Sequence, residues 1–124
     1  MNQAKPLIYL GSTRKDLEKL PSTVKEEFLH GLQEASRGRT HPNTKALKGY
    51  KGGGVLELIE DHRGDTFRGV YTVKLKGIVW WLHVFKKKST KGIATPKKDR
   101  ELIDRRLQFA IANYKDWIKK GLLD

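Results

Sequence analysis

The spacing of apolar residues changes character several times along the chain, and each change predicts an element. Leu7, Ile8, Tyr9 and Leu10 form a short apolar run within Lys5–Leu10 that reads as a strand. Pro6 cannot donate to a ladder, which places that strand at a sheet edge. Gly11-Ser12-Thr13 then turns into a short helix, with Ser12 or Thr13 as cap and Leu17 and Leu20 facing inward. Pro21 ends it. Val24, Phe28, Leu32 and Ala35 recur at helical spacing, and the helix they define stops at Arg37-Gly38. Gly38 suits the left-handed residue that follows many helix ends. The two segments predict an antiparallel helical hairpin.

Residues 39–54 are polar, with Pro42, Gly49 and three successive glycines at 52–54, and read as a mobile loop. Val55–Glu60, Thr66–Lys74 and Ile78–Lys86 then read as three strands. Asp61-His62-Arg63-Gly64 joins the first two, and Lys76-Gly77 makes a tight turn into the third. A basic loop from Lys86 to Lys98 leads to a last helix, with Thr95 as its cap and Pro96 in its first position. Ile103, Leu107, Ala110, Ile111, Tyr114 and Ile118 form its apolar stripe, opposite Arg100, Asp104, Gln108 and Lys115. The order β-α-α-β-β-β-α predicts an α+β fold with helices packed on an antiparallel meander.

At 124 residues the expectation is one domain, spanning 1–124. The run 78–85 contains His83 and is too short to span a bilayer. No signal-peptide pattern opens the chain and no cysteine occurs, so a cytoplasmic protein is expected, without disulfides or thiolate metal ligands. Charge narrows the picture further. Twenty-six Lys and Arg against fourteen Asp and Glu give a net charge of +12. Such an excess implies an anionic partner, most often nucleic acid or an acidic protein.

Lys86-Lys87-Lys88-Ser89-Thr90-Lys91 concentrates four lysines at the end of the third meander strand. The cluster suits phosphate contacts, or it guards a strand end against edge pairing. Arg68, inside a strand, could grip a phosphate with two N–H groups; the alternative is a cross-strand salt bridge, with Glu57 the available carboxylate. His83 shares an expected strand face with Trp81 and Phe85, either as a proton carrier or as a satisfied core histidine. Trp80 and Trp81 offer core mass or a stacking surface. Gly52-Gly53-Gly54 lacks the Lys-Ser/Thr of a phosphate-binding loop, and the four histidines are scattered without metal-ligand spacing. Basic side chains are the available tools. They fit RNA cleavage, in which the 2′-hydroxyl is an internal nucleophile and the protein orients it, moves protons and neutralises charge.

Three stretches together resemble a known superfamily. Lys45-Ala46-Leu47-Lys48-Gly49, Gly54-Val55-Leu56-Glu57-Leu58 and Thr66-Phe67-Arg68-Gly69-Val70-Tyr71 resemble the K-x-L-x-G, L-x-E-L and Y-R-x-x-Y progression of RelE/ParE-superfamily toxins. Leu82-His83-Val84-Phe85-Lys86-Lys87-Lys88-Ser89, followed by Thr95-Pro96, is similar to the phage-derived, HigB-like branch. The resemblance implies the toxin of a type II toxin–antitoxin pair, restrained by an antitoxin of helix-turn-helix type. It also implies cleavage of ribosome-bound messenger RNA with no metal or cofactor. By position, Arg68 would stabilise the cleaved phosphate. His83, Lys87 and Lys88 would move protons or contact phosphate, and Lys48, Lys86 and Lys91 would hold RNA backbone. Ile59 stands where the wider superfamily often carries an arginine, and no tyrosine follows the last helix. Two alternatives stay open: a ParE-like toxin that binds DNA gyrase, and an inactive phage-derived nucleic-acid-binding module.

Overall fold

A computed structural model describes residues 4–88 and 95–121. Five strands form one sheet in the order β1-β5-β4-β3-β2. β1 (Leu7–Tyr9) lies at one edge, parallel to β5 (Val79–Lys88). β5, β4 (Asp65–Thr72) and β3 (Val55–His62) are the antiparallel meander, and β2 (Thr44–Ala46) closes the opposite edge. α1 (Thr13–Glu18) and α2 (Ser22–Ser36) cover one face, and α3 (Lys97–Lys119) covers the other. The α+β architecture is the one expected. No described helix is long and apolar enough to cross a membrane.

Three differences from the sequence reading have local causes. The stretch read as a loop contains β2, because Thr44, Lys45 and Ala46 pair with Leu58, Glu57 and Leu56. Pro42 and the glycines bracket it and hid a strand of only three residues. Pro96 is the cap of α3 rather than its first residue; its ψ of 144° is extended, and the helix starts at Lys97. Ile118 is exposed, and Trp117 turns inward to stack on Trp80 with ring centroids 5.6 Å apart.

Elsewhere the local chemistry acts as expected. Ser12 is the α1 cap, Pro21 separates the two helices, and Gly38 has a φ of +80° after α2. β3 and β4 run on to the pair His62–Asp65, leaving Arg63 (φ 49°) and Gly64 (φ 85°) as a two-residue turn. Positive φ at both positions matches the right-handed twist of the strands it joins.

The α2 side of the sheet is apolar. Val24, Phe28 and Leu32 pack on Leu58, Phe67, Tyr71 and Trp81, and Phe28 meets the Trp81 ring edge-on at 5.9 Å. Gly69 makes this possible: a Cβ there would fall 2.1 Å from the Trp81 ring. On the opposite side, Ile103, Leu107 and Ala110 of α3 cover Val55, Val70, Trp80 and Leu82.

Candidate functional site

A bulge in β5 decides what reaches the α3 side. Tyr71 pairs with Trp81 and Val70 pairs with His83, so Leu82 is an extra residue opposite no partner. Trp81 faces α2, whereas Leu82 and His83 both face α3. The expectation that His83 shares a face with Trp81 is therefore corrected; it shares one with Phe85, whose ring stacks on it at 5.2 Å. A strict two-residue period cannot reveal an inserted residue.

Register then aligns Lys45, Glu57, Val70 and His83 in one row across β2, β3, β4 and β5. Arg68, one step of the α3-facing series from Val70, reaches diagonally to this row. Its Nη1 donates to Glu57 Oε1 at 2.7 Å, and the side chains are 14% and 1% exposed. The cross-strand salt bridge offered as the alternative for Arg68 is thus formed. Glu57 Oε2 and Arg68 Nε are buried and find no hydrogen-bond partner among the described residues. A charge pair this deep offsets its desolvation only while both members are present.

His83 is held from both ends. Its Nε2 lies 2.7 Å from Asp99 Oδ1, and its Nδ1 lies 3.5 Å from Arg106 Nη1. Nε2–H donating to the carboxylate leaves Nδ1 to accept from the guanidinium, so one neutral tautomer satisfies both contacts. Arg106 also donates to the Leu82 carbonyl at 2.9 Å and reaches Ser12 Oγ at 3.4 Å, tying α3 to β5 and to the start of α1. Burial holds its guanidinium below the usual arginine range.

Beside this row, between β2 and the start of α3, lies a cavity of about 330 Å³. Lys45, Lys48, Glu57, Thr95 and Arg100 line it together with Ala46 and Leu47. Arg100, read from sequence as part of the solvent face of α3, is clamped here. Its guanidinium carbon sits 4.3 Å from the Tyr50 ring centroid, and Nη1 donates to the Lys48 carbonyl at 3.0 Å. Tyr50 in turn donates its hydroxyl to Asp104 at 2.5 Å, and burial together with this bond raises its pKa well above the usual phenol value.

The lysines divide. Lys48 lines the cavity. Lys87 follows His83 and Phe85 in the α3-facing series, whereas Lys86 points to the other face, 3.7 Å from Asp65. Lys91 and the side chain of Lys88 lie outside the described residues. Sequence reasoning treated Glu57 only as a partner for Arg68, and missed Asp99, Arg100 and Arg106; nothing local in α3 shows which polar residues a neighbouring strand will engage.

Two of the histidines scattered in sequence do meet. Glu27, His30 and His41 bring potential ligand atoms within 4.8 Å of one another. His41 Nδ1, however, accepts the Asn43 N–H at 3.1 Å, so Nε2 carries the proton that faces Glu27, also at 3.1 Å. A protonated nitrogen offers no lone pair to a metal. The Glu27–His41 pair acts as a hydrogen-bonded tie between α2 and the approach to β2, with the His30 ring edge-on to His41.

No curated protein matches the chain. A family profile does, over residues 15–108, and its description reads Phage derived protein Gp49-like. The matched span runs from α1 into α3, and so contains the row from Lys45 to His83, Arg68, Asp99, Arg100 and Arg106. The chain belongs to the phage-derived Gp49-like family, a toxin-like family.

Proposed function

We propose that the chain is the toxin of a type II toxin–antitoxin pair and that it cleaves ribosome-bound messenger RNA with its own side chains. The observation that carries this reading is the buried Arg68–Glu57 pair beside a lysine- and arginine-walled cavity on a protein of net charge +12. In the proposed reaction the RNA 2′-hydroxyl attacks the adjacent phosphorus and loses its proton. The 5′-oxygen of the next nucleotide leaves and gains one, and a 2′,3′-cyclic phosphate remains. Arg68 stabilises the charge that builds on the phosphoryl oxygens. Glu57 Oε2, without a hydrogen-bond partner among the described residues, accepts the 2′-hydroxyl proton in this reading. Lys87 and Lys88 stay candidates for phosphate contact or for the proton given to the leaving oxygen. Lys48, Lys86 and Lys91 stay candidates for holding backbone. His83 becomes a positioning residue in this reading, because both its nitrogens are engaged.

The test is induced expression, with growth and transcript integrity read together. Message should be cut in the parent strain, and Arg68→Lys should lower cleavage by about 10²–10³-fold, since lysine keeps charge but loses the planar fork. Growth arrest should fade with the cleavage, and co-expression of an antitoxin should abolish both. Arrest with intact transcripts and lost DNA supercoiling would instead identify a gyrase-binding toxin.

A further inference from the structure

A surface arginine is usually mobile, and a ligand that uses it must first fix its several torsions. Arg100 is already fixed. Tyr50 stacks under its guanidinium, the Lys48 carbonyl accepts from Nη1, and Asp104 Oδ1 stands 3.7 Å from Nε. Gly49, at φ +94°, completes the clamp, since a Cβ there would fall 2.2 Å from Nη2. Any other residue at Gly49 would displace the arginine and strain the backbone at once. One-third of the Arg100 side chain remains exposed, and it lines the cavity with Lys45 and Lys48.

The same cavity holds an unsatisfied group of opposite character. Glu57 is 1% exposed and its Oε2 has no hydrogen-bond partner among the described residues. Three cations call for an anionic oxygen, and the lone carboxylate oxygen calls for an O–H or N–H donor from the same occupant. A cavity of about 330 Å³ is at the lower end of sites that enclose one small ligand. A single nucleotide supplies both chemistries at that size.

We propose that this cavity seats one nucleotide of single-stranded RNA, with Arg100 as the fixed grip on its phosphate and Tyr50 as the residue that positions Arg100. The assignment rests on the RNA-cleaving reading above and adds to it a subsite on α3.

Binding is measured directly, by NMR shift mapping and titration of the whole chain with nucleoside 3′-monophosphates. Nucleosides and inorganic phosphate serve as separate arms. Shifts should centre on residues 45–50 and on Arg100 for the nucleotides. Arg100→Ala should weaken nucleotide binding at least tenfold while leaving nucleoside binding unchanged, and Arg100→Lys should restore only part of the loss. Tyr50→Phe keeps the ring but drops the bond to Asp104, and should give an intermediate loss with an unchanged melting temperature. In a companion salt titration with a short 2′-O-methyl RNA, Arg100→Ala should lower the slope by roughly the 0.7 expected for one single-strand phosphate. Nucleotide binding by the parent that Arg100→Ala leaves intact overturns the subsite while the RNA reading survives. A parent chain that binds no nucleotide and cuts no message overturns both.

Discussion

The two faces of the sheet are built on opposite plans. Towards α2, Trp81 lies over the bare Cα of Gly69 and meets the edge of Phe28, and the packing is mainly apolar, with the Tyr71 phenol and the Trp81 indole the polar exceptions. Towards α3, apolar packing occupies only part of the face. The rest holds Glu57, Arg68, His83, Asp99 and Arg106, whose contacts are ionic or hydrogen-bonded. The first plan supplies stability without specificity for any ligand. The second spends stability on desolvated charge, and charge at a defined position is what acid–base and phosphate chemistry require.

This contrast can be broken from the apolar side first. Trp81→Ala should cost about 3–5 kcal/mol in chemical denaturation, the range for deleting a buried large aromatic ring. A loss under 1 kcal/mol would mean that the Gly69–Trp81 seat is not the keystone of that layer. On the polar side, Arg68→Ala should cost a similar 3–5 kcal/mol or so, because Glu57 is left charged and alone in the interior. The pair Arg68→Met with Glu57→Leu should return to near parental stability while staying inactive. That result would separate the catalytic assignment of the Arg68–Glu57 pair from its part in folding; a double variant as unstable as Arg68→Ala would contradict the ion-pair account.

Gly69→Ala should cost about 1–3 kcal/mol, since the added methyl must push the Trp81 ring aside. Differential calorimetry reads this directly, and an unchanged melting temperature would show that the ring has room to move. The smallest effect concerns pH. Burial raises the Tyr71 phenol above its ordinary value of 10.0, so folding favours its neutral form. The stability this brings is complete below pH 10 and is lost as pH climbs through the raised value. Tyr71→Phe should therefore flatten part of the alkaline fall in stability above pH 10, and an identical pH profile in the two proteins would refute it.

Much of this contrast was legible in the amino-acid sequence. Helical spacing identified the Val24–Phe28–Leu32 face, and Arg37-Gly38 and Pro21 marked the ends of helices, because these signals act within a few residues. The resemblance pointed to Arg68 and His83 as site residues, and both lie within residues 15–108, the span that the family profile matches. What could not be read was non-local. The Leu82 insertion shifts His83 to the other face only through its pairing with β4. Arg100 looked like a solvated helix residue because its partners, Tyr50 and the Lys48 carbonyl, come from a polar stretch that gave no strand signal. The three-residue β2 left no periodicity long enough to detect.

The parallel pairing of β1 with β5 also sets an order of assembly. Leu7 meets Val79, and the Leu10 N–H donates to the Trp81 carbonyl, so among the described strands β1 has no neighbour until β5 exists. At about 5–20 residues per second, translation leaves β1 waiting on the order of ten seconds. The helices and the β3–β4 hairpin, closed by local contacts, can form in that interval. The row that ends at His83 is completed by the same strand. The row from Lys45 to His83 is thus incomplete on the nascent chain until β5 has been synthesised.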